Sequence, residues 1–202
     1  MRIDVTDMRE NERRLASVIK AAGAATWEWE VETGRARFNG RWAEMLGYDP
    51  EELEPTTVDT WRRLSHPDDL APIEAEIARC MAGEKDEYEA EMRLLRKDGG
   101  HIWILARAAV AERGPDGRPI KFNGVHIDVT ARREAEEAQR YAAAVQRALF
   151  ERSPFGLALS EFETGRMIDA NPAFLALLDL READLAGLTH VDLLAEPEAE
   201  TI

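Results

Sequence analysis

Apolar and polar residues along this chain follow two different rhythms, and the change between them marks its organisation. Residues 5–22 place Val5, Met8, Leu15, Ile19 and Ala22 on a three-and-four spacing, with Glu12 the one polar intrusion. That spacing predicts an amphipathic helix, ended by Gly23. Ala25 to Val31 alternates apolar and polar as a half-buried strand does, Thr33-Gly34 supplies a hairpin turn, and Arg35 to Phe38 is the expected partner strand. A short helix is expected from about Arg41 to Leu46, stopped by Gly47, after which Pro50 and Pro55 restrict the chain to short helical turns. Ser65-His66-Pro67-Asp68-Asp69 reads as a helix start in which Asp68 or Asp69 accepts from open backbone N–H groups; the helix is expected to reach Met81 and close at Gly83. Three strand-like runs follow, at about Tyr88 to Arg96, Ile102 to Ala111 and Ile120 to Val129. The turns between them, Asp98-Gly99-Gly100 and Gly114-Pro115-Asp116-Gly117, are short, so the three strands form an antiparallel meander.

From Ala131 the rhythm changes. Ala131, Ala135, Ala138, Ala142, Val145 and Leu149 recur at alternating intervals of four and three, with Arg, Glu and Gln on the other faces. This is a heptad seam, rich in alanine and therefore weak; the alternative is a lone amphipathic helix lying on its own domain. After it, Phe155 to Glu161 is an expected strand, Thr164-Gly165 repeats the turn chemistry of Thr33-Gly34, and Asn171 to Leu178 is an expected helix with Asn171 as its cap. Asp184 to Leu188 is a further short turn. Strand, Thr-Gly turn, strand and helix thus occur twice in the same order, the second copy without a meander.

Composition narrows the partners. The 202 residues carry 40 acidic against 26 basic side chains, a formal net charge of -14, which disfavours nucleic acid and an anionic membrane surface. One cysteine, Cys80, rules out a disulfide framework and fits a reducing cytoplasm. The start, Met1-Arg2-Ile3-Asp4, lacks the apolar run of a signal peptide. The longest apolar stretch, Ile102 to Ala111, is broken by Arg107 and is far shorter than the roughly 20 residues of a membrane span.

The series Trp27-Glu28-Trp29-Glu30 with Thr33-Gly34, Leu46-Gly47-Tyr48, Trp61, His66-Pro67-Asp68-Asp69, Glu91-Met92-Arg93, Asp98-Gly99, Trp103, Asp116-Gly117, Gly124 and Asp128-Val129-Thr130 resembles the PAS family, in the version with an associated C-terminal motif found in bacterial sensory kinases and cyclases. Arg132-Arg133-Glu134-Ala135-Glu136 looks like the start of that family's signalling helix. Phe150-Glu151-Arg152-Ser153-Pro154, Thr164-Gly165 and Asn171-Pro172-Ala173-Phe174 are similar to the first half of another PAS domain. The resemblance implies an α+β fold: a five-stranded antiparallel sheet with short helices on one face, flanked by N-terminal and coiled-coil-like C-terminal helices. It divides the chain into an N-terminal helix (1–22), a PAS domain (23–130), a signalling helix (131–149) and the N-terminal part of a second PAS domain (150–202). Such domains sense a small molecule, light or redox state, or only dimerise. They pass the result on through the helix after the Asp-x-Thr motif. The expected function is therefore a cytoplasmic sensory module that perceives a small ligand or partner. It would couple that event, as a homodimer through its flanking helices, to an effector domain in the parent chain. The alternatives are a ligand-free dimerisation spacer or a haem- or flavin-bearing receptor.

Candidate sites follow. Tyr88, Ala90, Met92 and Leu94 share one face by strand alternation and are candidates to line a pocket, together with Trp29 and Trp103 from the aromatic set. Trp27, Trp42 and Trp61 read as core. Asp128 and Thr130 stand where the last strand meets the heptad helix: Thr130 is a candidate cap, Asp128 a partner for a basic group or a backbone N–H, and with Ala135, Ala138, Ala142, Val145 and Leu149 they are the candidates for signal coupling. His66 is expected to shape a turn rather than ligate haem or metal, and His101, His126 and His190 form no metal-spaced set. Cys80 lies outside any flavin-adduct motif and is expected to be a buried thiol. No nucleophile elbow, phosphate loop or zinc motif is present, so no catalytic residue, metal or cofactor is expected; a small-molecule ligand fits.

Overall fold

The computed structural model describes residues 5–193; the charged start (residues 1–4) and the last part of the second copy (residues 194–202) lie outside the described residues. The chain forms two compact units, one up to Glu134 and one from Ala135.

In the first unit, α1 (Val5–Ala21) leads into β1 (Ala25–Glu30) and β2 (Ala36–Phe38). The hairpin closes as its Thr-Gly turn requires: Gly34 N–H donates to the Glu30 carbonyl, and the Thr33 hydroxyl accepts from Arg35 N–H. Next come α2 (Gly40–Leu46), a single 3-10 turn (Pro50–Leu53), α3 (Val58–Leu64) and α4 (Pro67–Met81). Asn39 caps α2, accepting from Trp42 N–H. Gly47 ends it at φ 79°, a left-handed conformation that suits a residue without Cβ. At α4 the cap differs from expectation. His66, not an aspartate, holds the first turn, its Nδ1 accepting from Asp68 N–H, and Pro67 occupies the first helical position, where a missing N–H costs nothing. Asp69 is committed elsewhere, to Arg93.

The meander β3 (Glu87–Leu95), β4 (His101–Arg113) and β5 (Pro119–Asp128) completes a five-stranded antiparallel sheet in the order β2-β1-β5-β4-β3. β1 lies beside β5, so the two ends of the domain meet in the middle of the sheet. Register fixes which side chains share a face. Trp27 opposes Gly124, Trp29 opposes Phe122, Ala106 opposes both Ala90 and His126, and Met92 opposes Ile104. Their side of the sheet packs with Trp42, Leu46, Leu53, Trp61, Leu64, Ile73 and Cys80 into one apolar core, covered by the short helices. The opposite face is polar and charged over β1, β3 and part of β4.

α5 runs from Thr130 to Arg152 and contains no buried residue. The second unit continues with β6 (Ala158–Ser160), shorter than the expected strand, then β7 (Met167–Ala170), α6 (Pro172–Leu178) and a 3-10 turn (Glu182–Leu185) around a small core of Met167, Ala170 and Leu185. The repeat extends to individual hydrogen bonds. Gly165 N–H donates to Glu161 as Gly34 does to Glu30, and Thr164 accepts from Arg166 N–H as Thr33 does from Arg35. Asn171, fully buried, caps α6 and uses its whole hydrogen-bonding capacity: Oδ1 accepts from Leu157 and Phe174 N–H, and Nδ2 donates to the Phe150 and Phe155 carbonyls.

Candidate functional site

Two places in the first unit concentrate the candidate residues. The first is the core between sheet and helices. Tyr88, Met92 and Leu94 are buried there and Ala90 packs against them, on one face of β3 as alternation requires. Within this core a small cavity of about 30 Å³ is lined by Trp27, Trp29, Phe38, Trp61, Tyr88 and His126, among others. Such a volume holds a water molecule; ligand pockets run to several hundred Å³. Of the six pocket candidates, Trp29 and Tyr88 line it, while Ala90, Met92 and Leu94 belong to the surrounding core. Trp103 is on the other side of the sheet. It pairs with Arg93, and their side chains share the face opposite Met92 and Ile104. The run Ile102-Trp103-Ile104-Leu105 is apolar throughout, so alternation could not assign its faces beforehand.

The polar groups of the cavity wall are unusual. Trp42 Nε1–H donates to His126 Nδ1 at 3.0 Å, which places the imidazole proton on Nε2. Burial drives the His126 pKa down to about 3, so the ring is neutral. Trp27 and Trp29 each bury an indole N–H that has no acceptor among the protein's own groups. An unmet donor of this kind costs on the order of 1–3 kcal/mol. Trp27 is held there by its neighbour: a Cβ on Gly124 would come within 2.3 Å of the indole ring and 2.5 Å of the Arg107 carbonyl oxygen. Cys80 is fully buried, and desolvation raises its thiol pKa.

The second place is the junction of β5 and α5. Val129 N–H donates to the Trp103 carbonyl, and Trp103 N–H donates to the Thr130 hydroxyl at 2.9 Å. Asp128 Oδ1 accepts from Thr130 N–H at 2.9 Å. Asp128 thus meets the first helical N–H from the position before the N-cap, Val129, whose carbonyl accepts the first helical bond from Arg133 N–H. Thr130 is already helical, and its hydroxyl ties the helix to β4 instead. Just beyond, Arg133 Nε donates to Glu91 at 2.7 Å, and Arg132 also pairs with Glu91. The two guanidinium groups, Arg133 first, hold the Glu91 carboxyl below the ordinary carboxylate range. Arg133 lies 4.3 Å from the centre of the Trp103 ring and Arg93 lies 5.2 Å from it. Arg93 in turn grips Asp69 of α4 through two guanidinium nitrogens (2.7 and 2.9 Å) and its own backbone N–H (2.8 Å). The hydrogen bond from Arg93 lowers the Asp69 pKa. An unbroken chain of contacts thus runs from α4 across β3 and β4 to the first turn of α5. Glu91, Arg93, Arg132 and Arg133 were absent from the candidates because their partners lie up to 42 residues away in sequence.

The seam residues Ala135, Ala138, Ala142, Val145 and Leu149 are all exposed along α5. Among the described residues, no helix is long and apolar enough to cross a membrane, and no three His, Cys, Asp or Glu side chains cluster as metal ligands.

A five-stranded sheet of this order, with helices on one face and a helix leaving its last strand, defines the class of sensory signalling domains to which the comparisons point. A PAS fold family model matches residues 35–126 and a PAS domain model matches residues 144–201. The chain belongs to the PAS domain family, with a second, shorter PAS-like copy. Its relatives include the uncharacterized protein y4lL of Sinorhizobium fredii, 29% identical over 159 residues (75% of this chain and 18% of that protein). Another is the methyl sulfide methyltransferase-associated sensor of Methanosarcina acetivorans, 28% identical over 129 residues (63% of this chain and 13% of the relative). The chain thus spans less than a fifth of these relatives' length. A sensory box histidine kinase/response regulator structure from Burkholderia thailandensis E264 is 27% identical with a TM-score of 0.58, covering 67% of this chain and 99% of that one. PAS domains are regulatory sensor modules, and these relatives support a signalling sensor role for this chain.

Proposed function

We propose that the first PAS domain is a ligand-responsive sensor acting as a homodimer, with α5 as its output element. In the dimer, α5 pairs with its counterpart through Ala135, Ala138, Ala142, Val145 and Leu149 and carries the response toward an effector domain in the parent protein. The observation that carries this reading is the exposed seam on a 23-residue helix with no buried residue, rooted in the sheet by Asp128, Thr130 and the Glu91–Arg133 pair. Tyr141, Val145 and Leu149 stand exposed on a helix that gains little by remaining alone in water. Small alanines allow close approach with little apolar area. Two packings of similar energy are then accessible, and a ligand that favours one shifts the population.

The domain is read as having no catalytic role and no resident cofactor, since Cys80 lies outside any flavin-adduct motif and the histidines form no ligand-spaced set. The net charge of -14 supports protein and small-molecule partners over nucleic acid, and the single, buried cysteine supports a cytoplasmic setting. The small cavity of the core favours a second reading, a dimerisation spacer without a ligand. Native mass spectrometry separates the two, since a copurified small molecule is expected only of the sensor. Sedimentation of Ala138→Glu and Leu149→Glu tests the seam: both variants should be shifted to monomer, and unchanged association would remove α5 from the dimer.

A further inference from the structure

The cavity beneath the sheet has a one-sided polar inventory. Trp27 and Trp29 line it, and both carry buried indole N–H groups without a protein acceptor. An indole nitrogen only donates. His126, also in the wall, spends its one acceptor on Trp42, which leaves only a donor on its ring. Tyr88 is the lining residue whose hydroxyl works both ways. No lysine, arginine, aspartate or glutamate lines the cavity, and the rest of its wall is aromatic or aliphatic.

We propose that this cavity recognises a small uncharged molecule that presents a hydrogen-bond acceptor on an apolar body, a carbonyl compound such as a ketone or amide, with Trp27 and Trp29 as its donors. The inference rests on the reading of this domain as a ligand sensor and names the chemistry of what it senses. An anion lacks a counter-charge here, and a donor-only molecule leaves both indoles unmet. A pure hydrocarbon fits the apolar wall but wastes the two N–H groups, so the acceptor supplies the discrimination. The wall also suggests how occupancy is felt. Val58 and Trp61 of α3 and Ile77 of α4 close the cavity on the helix side. A ligand body larger than about 30 Å³ must displace them, and it therefore selects a more open arrangement of the helices.

The test uses the whole 202-residue chain, labelled with nitrogen-15, and two molecules of nearly the same shape, cyclohexanone and methylenecyclohexane. Cyclohexanone should move the Trp27 and Trp29 indole N–H resonances downfield and leave that of Trp42, already bonded to His126, in place. Methylenecyclohexane should bind about tenfold more weakly and cause no downfield movement, the expected penalty for leaving a buried donor unpaired. Trp27→Phe and Trp29→Phe supply the assignments; both molecules feel the space the smaller ring opens, but only the ketone loses a donor, so each variant should reduce the ratio of cyclohexanone to methylenecyclohexane affinity about fivefold. Equal affinity for the two molecules overturns the proposal, as does the absence of binding by cyclohexanone. So do indole resonances already at a hydrogen-bonded position, which would mean that the cavity is satisfied by water. Sedimentation of the same samples keeps the two readings apart. Binding with unchanged α5 association removes the coupling and leaves the site, whereas loss of seam pairing in Leu149→Glu without ketone binding does the reverse.

Discussion

Replacing His126 with glutamine should flatten the acid side of this domain's stability profile. His126 is 2% exposed, its Nδ1 accepts from Trp42, and burial takes its pKa from 6.5 to about 3. The folded state therefore refuses a proton that the unfolded chain accepts. A depressed folded pKa contributes stability above the unfolded value, and that contribution is lost as pH falls from the unfolded pKa toward the folded one. Between pH 7 and pH 5 the unfolded state gains most of a proton and the folded state almost none, which removes about 2 kcal/mol. That is a large share of the roughly 5–15 kcal/mol by which a domain is stable. Urea unfolding, followed by tryptophan fluorescence at several pH values, measures it. Wild type should lose about 2 kcal/mol more than His126→Gln over this interval, whatever the absolute stability of the variant. Glutamine can still offer Trp42 an acceptor. Parallel pH profiles for the two proteins would refute the account, because they would mean that the ring is protonated in the folded state or reached by solvent.

Two further outcomes follow from the same geometry. Glu91→Gln should loosen the root of α5, lowering domain stability by about 1 kcal/mol and speeding amide exchange at residues 131–134. Because the wild-type Glu91 carboxyl is held below its unfolded pKa, its contribution should persist at neutral pH and vanish as pH falls through the folded value, so wild type should approach the variant there. Gly124→Ala should cost about 3 kcal/mol by thermal or urea unfolding, since its Cβ meets both the Trp27 ring and the immobile Arg107 carbonyl. A neutral result would show that Trp27 does not lie across β5 as described.

Much of this architecture is local and therefore written in sequence order. The Thr-Gly turn, the Gly-rich turns of the meander and the glycine after α2 act through neighbours a few residues away, as do the capping bonds that Asn39 and Asn171 accept from Trp42 and Phe174 N–H. Alternation along β3 likewise put Tyr88, Ala90, Met92 and Leu94 on one face, because side chains of a strand point to opposite sides in turn. The heptad rhythm placed a long helix after the last strand, because residues three and four apart share one face of a helix. The helix start at His66 was also legible, but the roles of its residues were not: two aspartates follow the turn, and only the approach of β3 decided that Asp69 serves Arg93 while His66 caps. Trp103 shows a different limit. In an unbroken apolar run no period marks the face, and the register with Arg93 assigned it to the outer side, between two arginines. The neutrality of His126 depends on Trp42, 84 residues away, and the unmet indoles of Trp27 and Trp29 depend on the whole wall around them. The elements, their order and the repeat thus follow from local residue patterns. Which charges meet across the junction, and which donors are left without a partner, follow from the folded arrangement alone, since both depend on distances between residues far apart in the chain.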